Sequence, residues 1–232
     1  MHESFKKRAL LALKIATAVC SLVGLVLSLI FYAQDGYSHW WKRLLFFTSQ
    51  SNLLVGVFFI FFTLYPLIKF KDEEKAKQII CTIKYCLTIA ITITGFIFLA
   101  VLAPFAHRTG YNAWSLSSIL THIITPVLAA SDYFLSDMIP LKKRHLFYSL
   151  IPFVFYLIFA SVFCILKIDF GRGEAFPYFF LNYYSPAGIF GFSPTTPPFV
   201  LGSFYWFIIL IGIILSIGLF YMKVHPSNKR KK

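Results

Sequence analysis

The sequence predicts an all-α fold, a polytopic membrane protein built as a bundle of six transmembrane helices in a single domain over 1–232. Three observations carry that expectation. First, 58% of the 232 residues are hydrophobic and only 13% are charged, whereas soluble domains carry about 25% charged residues. Second, six apolar runs are long enough to cross a bilayer. Third, positive charge collects in alternate connections between those runs. A β-barrel would instead show short alternating segments, which the sequence lacks.

The spans are placed at about 9–33, 44–68, 79–103, 113–136, 146–166 and 199–222. In lipid every backbone polar group must be paired within its own segment, so each run should be a helix. The first run follows Lys6, Lys7 and Arg8 as a signal peptide would, but it is too long, and "TAVC" is a poor cleavage site. It is expected to stay as a span. If the N-terminus is cytoplasmic, the inner segments 1–8, 69–78, 137–145 and 223–232 hold fifteen Lys and Arg residues. The outer segments hold five: Lys42, Arg43, Arg108, Lys167 and Arg172. This asymmetry predicts a cell-membrane protein with both termini on the cytoplasmic side. The basic tail then reads as a topology anchor near anionic lipid, and no nucleic-acid partner is expected.

Five of the connections and tails are short. The sixth, an outer loop over 167–198, is dense in aromatics, Gly and Pro, and either lies along the outer interface as an aromatic belt or covers a site opening outward. The four cysteines fall within spans without CxxC spacing, and the six histidines lack HxxxH or HExxH spacing. No disulfide framework, metal site or cofactor is expected.

Chemistry concentrates in two spans. The second carries "TSQSN", from Thr48 to Asn52, where hydrocarbon makes unpaired polar groups costly. Residues three and four apart share a helix face, so Thr48, Ser51 and Asn52 point one way and Gln50 another. The fourth span carries Ser118, His122, Thr125, Ala129 and Asp132 as a stripe down an otherwise apolar helix. Pro126 should free the carbonyl of His122 and kink that helix. Polar groups of this kind can simply join helices, but an ionisable residue within a membrane marks a functional site by default. Counting about 1.5 Å per residue, Asn52 and His122 both lie roughly 12 Å below the outer face and Thr48 roughly 6 Å. Side chains lean toward the helix N-terminus, here outward, so His122 can reach Thr48. Asp132 lies roughly 15 Å further along and cannot complete a triad; it should cap or pair near the cytoplasmic end. Candidates to orient His122 are Asn52, Gln50, Ser118 and the loop residue Asn182.

"WKRLLFFTSQSNLLVGVFF" followed by "THIITPVLAASDYF" resembles the androgen-induced-gene-product family, which includes bacterial six-span relatives, and "FPYFFLNYY" in the outer loop resembles the bacterial branch. The resemblance implies a membrane hydrolase of fatty acid esters whose threonine falls on Thr48 and whose histidine falls on His122. Asn182 stands where many bacterial relatives have Asp.

The expected function is therefore hydrolysis of a lipid-like ester, with Thr48 as nucleophile and His122 as general base. Gln50, Ser51 or Asn52 would offer donors to the oxyanion. Ser118, Thr125, Tyr178 and Asn182 complete the candidate substrate-binding set, and membrane lipids are the expected partners. The alternative is a non-enzymatic transporter, channel or lipid-binding protein with a polar path through His122, Thr125 and Asp132. A cavity closed toward the cytoplasm favours the hydrolase, and one continuous to Asp132 favours transport.

Overall fold

The computed structural model describes residues 2–104, 106, 112–171, 173–194 and 200–225. Arg108, Arg172, the basic residues at 229–232 and positions 195–198 of the outer loop lie outside them. Helix α1 spans His2–Ile30 and starts well before the apolar run. Ion pairs accompany these early turns: Lys7 Nζ lies 2.9 Å from Glu3 Oε1, and Lys6 Nζ lies 3.0 Å from Asp137 Oδ1. Trp40–Leu45 forms a tight 3-10 turn. Helix α2 therefore begins later than the apolar run, at Phe47, and continues to Leu64. Its N-cap, Phe46, is extended and offers no side-chain cap. The first N–H groups of α2 thus have no partner within the helix.

Helix α3, Glu73–Leu102, starts earlier than hydropathy alone indicates. Asp72 caps it by accepting from the Lys75 N–H at 2.9 Å, and Glu73 and Glu74 complement the positive end of the helix dipole. Its last turn, Phe98–Leu102, is π-helical. Helix α4 spans Leu116–Leu135 and contains a second π turn, Leu120–Ile124, which meets Pro126 two residues on. Proline has no N–H to return to the carbonyl four residues back, which here is that of His122. Helix α5 covers Arg144–Ile165 and α6 covers Ser203–Val224.

All six helices are long and apolar enough to cross a membrane, and no strand occurs among the described residues. The chain is a multi-pass membrane protein of the all-α class. The central element is α3. Within its most apolar stretch 61% of residues are buried by the rest of the protein, against 22% for α5 and for α6. One core forms where Tyr85, Ile89, Ile93 and Ile97 of α3 meet Tyr156, Ala160 and Leu210. The other joins Val55 and Phe59 of α2 to Leu87 and Ile91 of α3 and Ala129 of α4. The outer loop is built into the first core through Phe170, Phe180 and Leu181, all buried. The four cysteines are free thiols.

Candidate active site

Thr48 lies in the first turn of α2 and His122 in the π turn of α4. Their side chains meet, with Thr48 Oγ1 3.3 Å from His122 Nε2. The other ring nitrogen fixes the tautomer. His122 Nδ1 lies 3.0 Å from the carbonyl oxygen of Ser118, which can only accept, so Nδ1 carries the proton and Nε2 offers its lone pair to the Thr48 hydroxyl. Thr121 Oγ1, also 3.0 Å from Nδ1, gives its own proton to Ser117 O at 2.8 Å. Of the four candidates to orient His122, only Ser118 does so, and through its main chain. The Phe98 ring covers one face of the imidazole, with centroids 4.0 Å apart and planes 20° from parallel.

Two glycines let neighbouring helices close on this π turn. A Cβ on Gly95 of α3 would stand 2.6 Å from the freed His122 carbonyl, and one on Gly24 of α1 would stand 2.8 Å from Thr121 Cγ2. The imidazole is thus set by backbone contacts on both sides, which leaves it little freedom to leave Thr48.

On its other side Thr48 lines a narrow, half-open cavity of about 40 Å³, room for a few water molecules. Its walls are apolar: Phe47, Ile93, Ile97, Leu102, Leu157 and Leu210, with Tyr156 and Tyr178 as the polar exceptions beside Thr48 and Thr94. The N–H groups of Phe47 and Thr48 face the Tyr178 hydroxyl, which also engages the Thr48 side chain. The Phe47 N–H faces the Tyr156 hydroxyl as well. The N-terminus of α2, which has no side-chain cap, therefore ends beside two tyrosine hydroxyls at the cavity wall.

The remaining candidates hold the scaffold. Gln50 Nε2 donates to Leu44 O at 3.1 Å, away from Thr48. The Ser51 hydroxyl bonds Thr94 Oγ1 and Thr48 O, both at 3.1 Å. Asn52 Nδ2 bridges Thr48 O at 2.8 Å and Thr121 O at 3.3 Å, tying α2 to α4. Asn182 Oδ1 accepts from the Tyr184 N–H at 3.0 Å within its own loop. Thr125 Oγ1 is buried with no partner among the described residues. Only Tyr178 of the candidate substrate-binding set lines the cavity.

Sequence reasoning passed over Gly24, Gly95, Phe98 and Tyr156, which carry no chemical signature of their own. It also passed over Lys14 and Lys84, for which a signal existed: both are ionisable residues inside spans. Asp132 does pair near the far end of α4, as expected, and these two lysines are its partners. No group of three or more His, Cys, Asp or Glu residues able to hold a metal occurs among the described residues. No family model, curated protein or solved structure matches the chain.

Proposed function

We propose that this protein hydrolyses lipid-like esters within the membrane, with Thr48 as nucleophile and His122 as general base. The observation that carries this reading is the 3.3 Å contact between the Thr48 hydroxyl and the unprotonated ring nitrogen of His122, at the wall of an apolar cavity. A threonine hydroxyl is a weak nucleophile at neutral pH and needs such a base. The resemblance to the androgen-induced-gene-product family supports the same two assignments.

In the forward step His122 Nε2 takes the Thr48 proton as Thr48 Oγ1 bonds to the ester carbonyl carbon. Negative charge then develops on the former carbonyl oxygen. The N–H groups of Phe47 and Thr48, which have no partner within their helix, and the Tyr178 hydroxyl beside them are the donors we assign to it, and the dipole of α2 adds to their effect. These groups take the role expected of Gln50, Ser51 and Asn52, whose donors are bound to carbonyls and to Thr94. Collapse breaks the bond to the alcohol, which leaves with the proton from His122. Water then gives a proton to His122 and its oxygen to the acyl carbon, releasing the acid and restoring the threonine. The cavity walls take the acyl chain.

The arrangement also weighs against a transport path. Neither Thr125 nor Asp132 lines the cavity, and the buried ionic groups lie near the other end of α4. In this reading the site opens toward the outer leaflet of a cell membrane, with both termini cytoplasmic as the basic segments indicate.

A fluorophosphonate probe on the purified protein tests the assignment. Wild-type protein should be labelled at Thr48, and both Thr48→Ala and His122→Ala should lose the label while keeping wild-type thermal unfolding. Labelling that persists in Thr48→Ala would overturn the nucleophile.

A further inference from the structure

At the opposite end of the bundle from the candidate active site, Asp132 of α4 is fully buried between two lysines. Lys84 of α3 makes an ion pair with its Oδ2 and donates to Ser136 Oγ at 2.7 Å. Lys14 of α1 approaches Oδ1 at 3.4 Å, and the Ser136 hydroxyl donates to the same oxygen at 3.3 Å. The chain has nine acidic side chains, all among the described residues, and Asp132 alone pairs with either lysine. Two ammonium groups therefore share one carboxylate, and the cluster carries one excess positive charge inside a membrane protein. Such a charge is costly unless an anion meets it.

The two lysines are not equivalent. Lys84 is tightly paired, bonded to a hydroxyl and 5% exposed. The Lys14 side chain is 18% exposed, its contact is longer, and it makes no other side-chain bond among the described residues. It sits about five residues, or roughly 8 Å, into the apolar part of α1. Its side chain leans toward the helix N-terminus, so the ammonium is directed to headgroup depth on the face that carries the basic segments. An anion approaching from the bilayer reaches Lys14 and not Lys84.

We propose that Lys14, held by Asp132, is a binding site for the phosphate of an anionic phospholipid in the leaflet on that face, which supplies the missing negative charge between α1 and α4. The site is separate from Thr48 and His122, and its test does not use hydrolysis.

Native mass spectrometry of the full-length protein, released from vesicles of mixed phosphatidylglycerol and phosphatidylcholine, reads the preference directly. Wild-type protein should retain phosphatidylglycerol over phosphatidylcholine. Lys14→Met should reduce that preference about fivefold, the worth of one basic residue near a charged membrane surface. Arg8→Gln removes the same charge from an exposed position of the same helix and should leave the preference unchanged. Glycerol phosphate, which has the anion without acyl chains, should not compete. An unchanged preference in Lys14→Met, or an equal loss in Arg8→Gln, would overturn the proposal. Displacement by glycerol phosphate would overturn the lipid and leave a free phosphate as the ligand.

Discussion

Thr48 combines three local properties: it is the second residue of a helix without a side-chain cap, it touches an imidazole, and it faces an apolar cavity. Each can be altered separately. Tyr178→Phe removes one donor beside Thr48 and keeps the ring stacked on Phe180 at 5.0 Å. In the proposed ester hydrolysis kcat should fall on the order of 10²-fold, with KM little changed, because the donor would act on charge that appears only in the transition state. Gly95→Ala should reduce both stability and turnover, since its methyl meets the His122 carbonyl at 2.6 Å. Overpacking of this kind costs about 1–3 kcal/mol. Gly212→Ala, with open space around it, should leave both unchanged, and thermal unfolding with a turnover assay separates the two. At this scale the Thr48–His122 pair was legible in the sequence and the groups that position it were not. Thr48 and His122 stand out because a polar side chain in lipid needs a reason. Gly95 and Phe98 look like ordinary membrane residues until the helices that meet them are known.

Among the elements, the outer loop supplies part of the cavity wall through Tyr178, Phe180 and Leu181. Lys42, just before α2, pairs with Asp169 at the start of the loop, and Asp169 Oδ1 also accepts from the Gly171 N–H at 2.7 Å. Partial burial would raise the Asp169 pKa, but the Lys42 ammonium and the Gly171 N–H outweigh it and hold the carboxyl below its ordinary range. The folded value is lower than the unfolded one. The contact is therefore fully present above the ordinary carboxylate range and is lost as pH falls through the depressed value. Limited proteolysis of the loop should quicken over that acidic interval. Asp169→Asn should be cut as readily at neutral pH as the wild type is in acid. Element boundaries were only partly legible in the sequence. Hydropathy marks where lipid begins, but not where a helix does. Asp72 and the glutamates after it carry α3 beyond its apolar stretch, and a 3-10 turn delays α2 to Phe47. The π turns have no periodic signature at all, although Pro126 marks the place where one was needed.

For the molecule as a whole, two polar centres share α3 and α4 at opposite depths. Thr48, His122 and Gly95 bring α2, α3 and α4 together at one end, while Lys14, Asp132 and Lys84 bring α1, α3 and α4 together at the other. Asp132→Asn leaves two cations, buried Lys84 and partly exposed Lys14, facing each other without a carboxylate. It should lower unfolding stability by about 3–5 kcal/mol, read as an early thermal transition in detergent. Replacing Asp132 by Leu together with Lys84 by Met should recover most of that loss. The six-span plan was legible from composition and charge alone because a bilayer permits so few backbone solutions. The convergence of residues 74 positions apart was legible only as equal depths on two helices, since no single sequence states which helices are neighbours.

The flanking of Thr48 has a stereochemical consequence. In the proposed reaction, with the imidazole on one side of the hydroxyl and the cavity on the other, an ester would present only one prochiral face of its carbonyl to the oxygen. The alcohol portion must then leave on the side of His122, which gives it a proton. A racemic ester of a secondary alcohol should therefore be resolved, with one enantiomer consumed well before its mirror image.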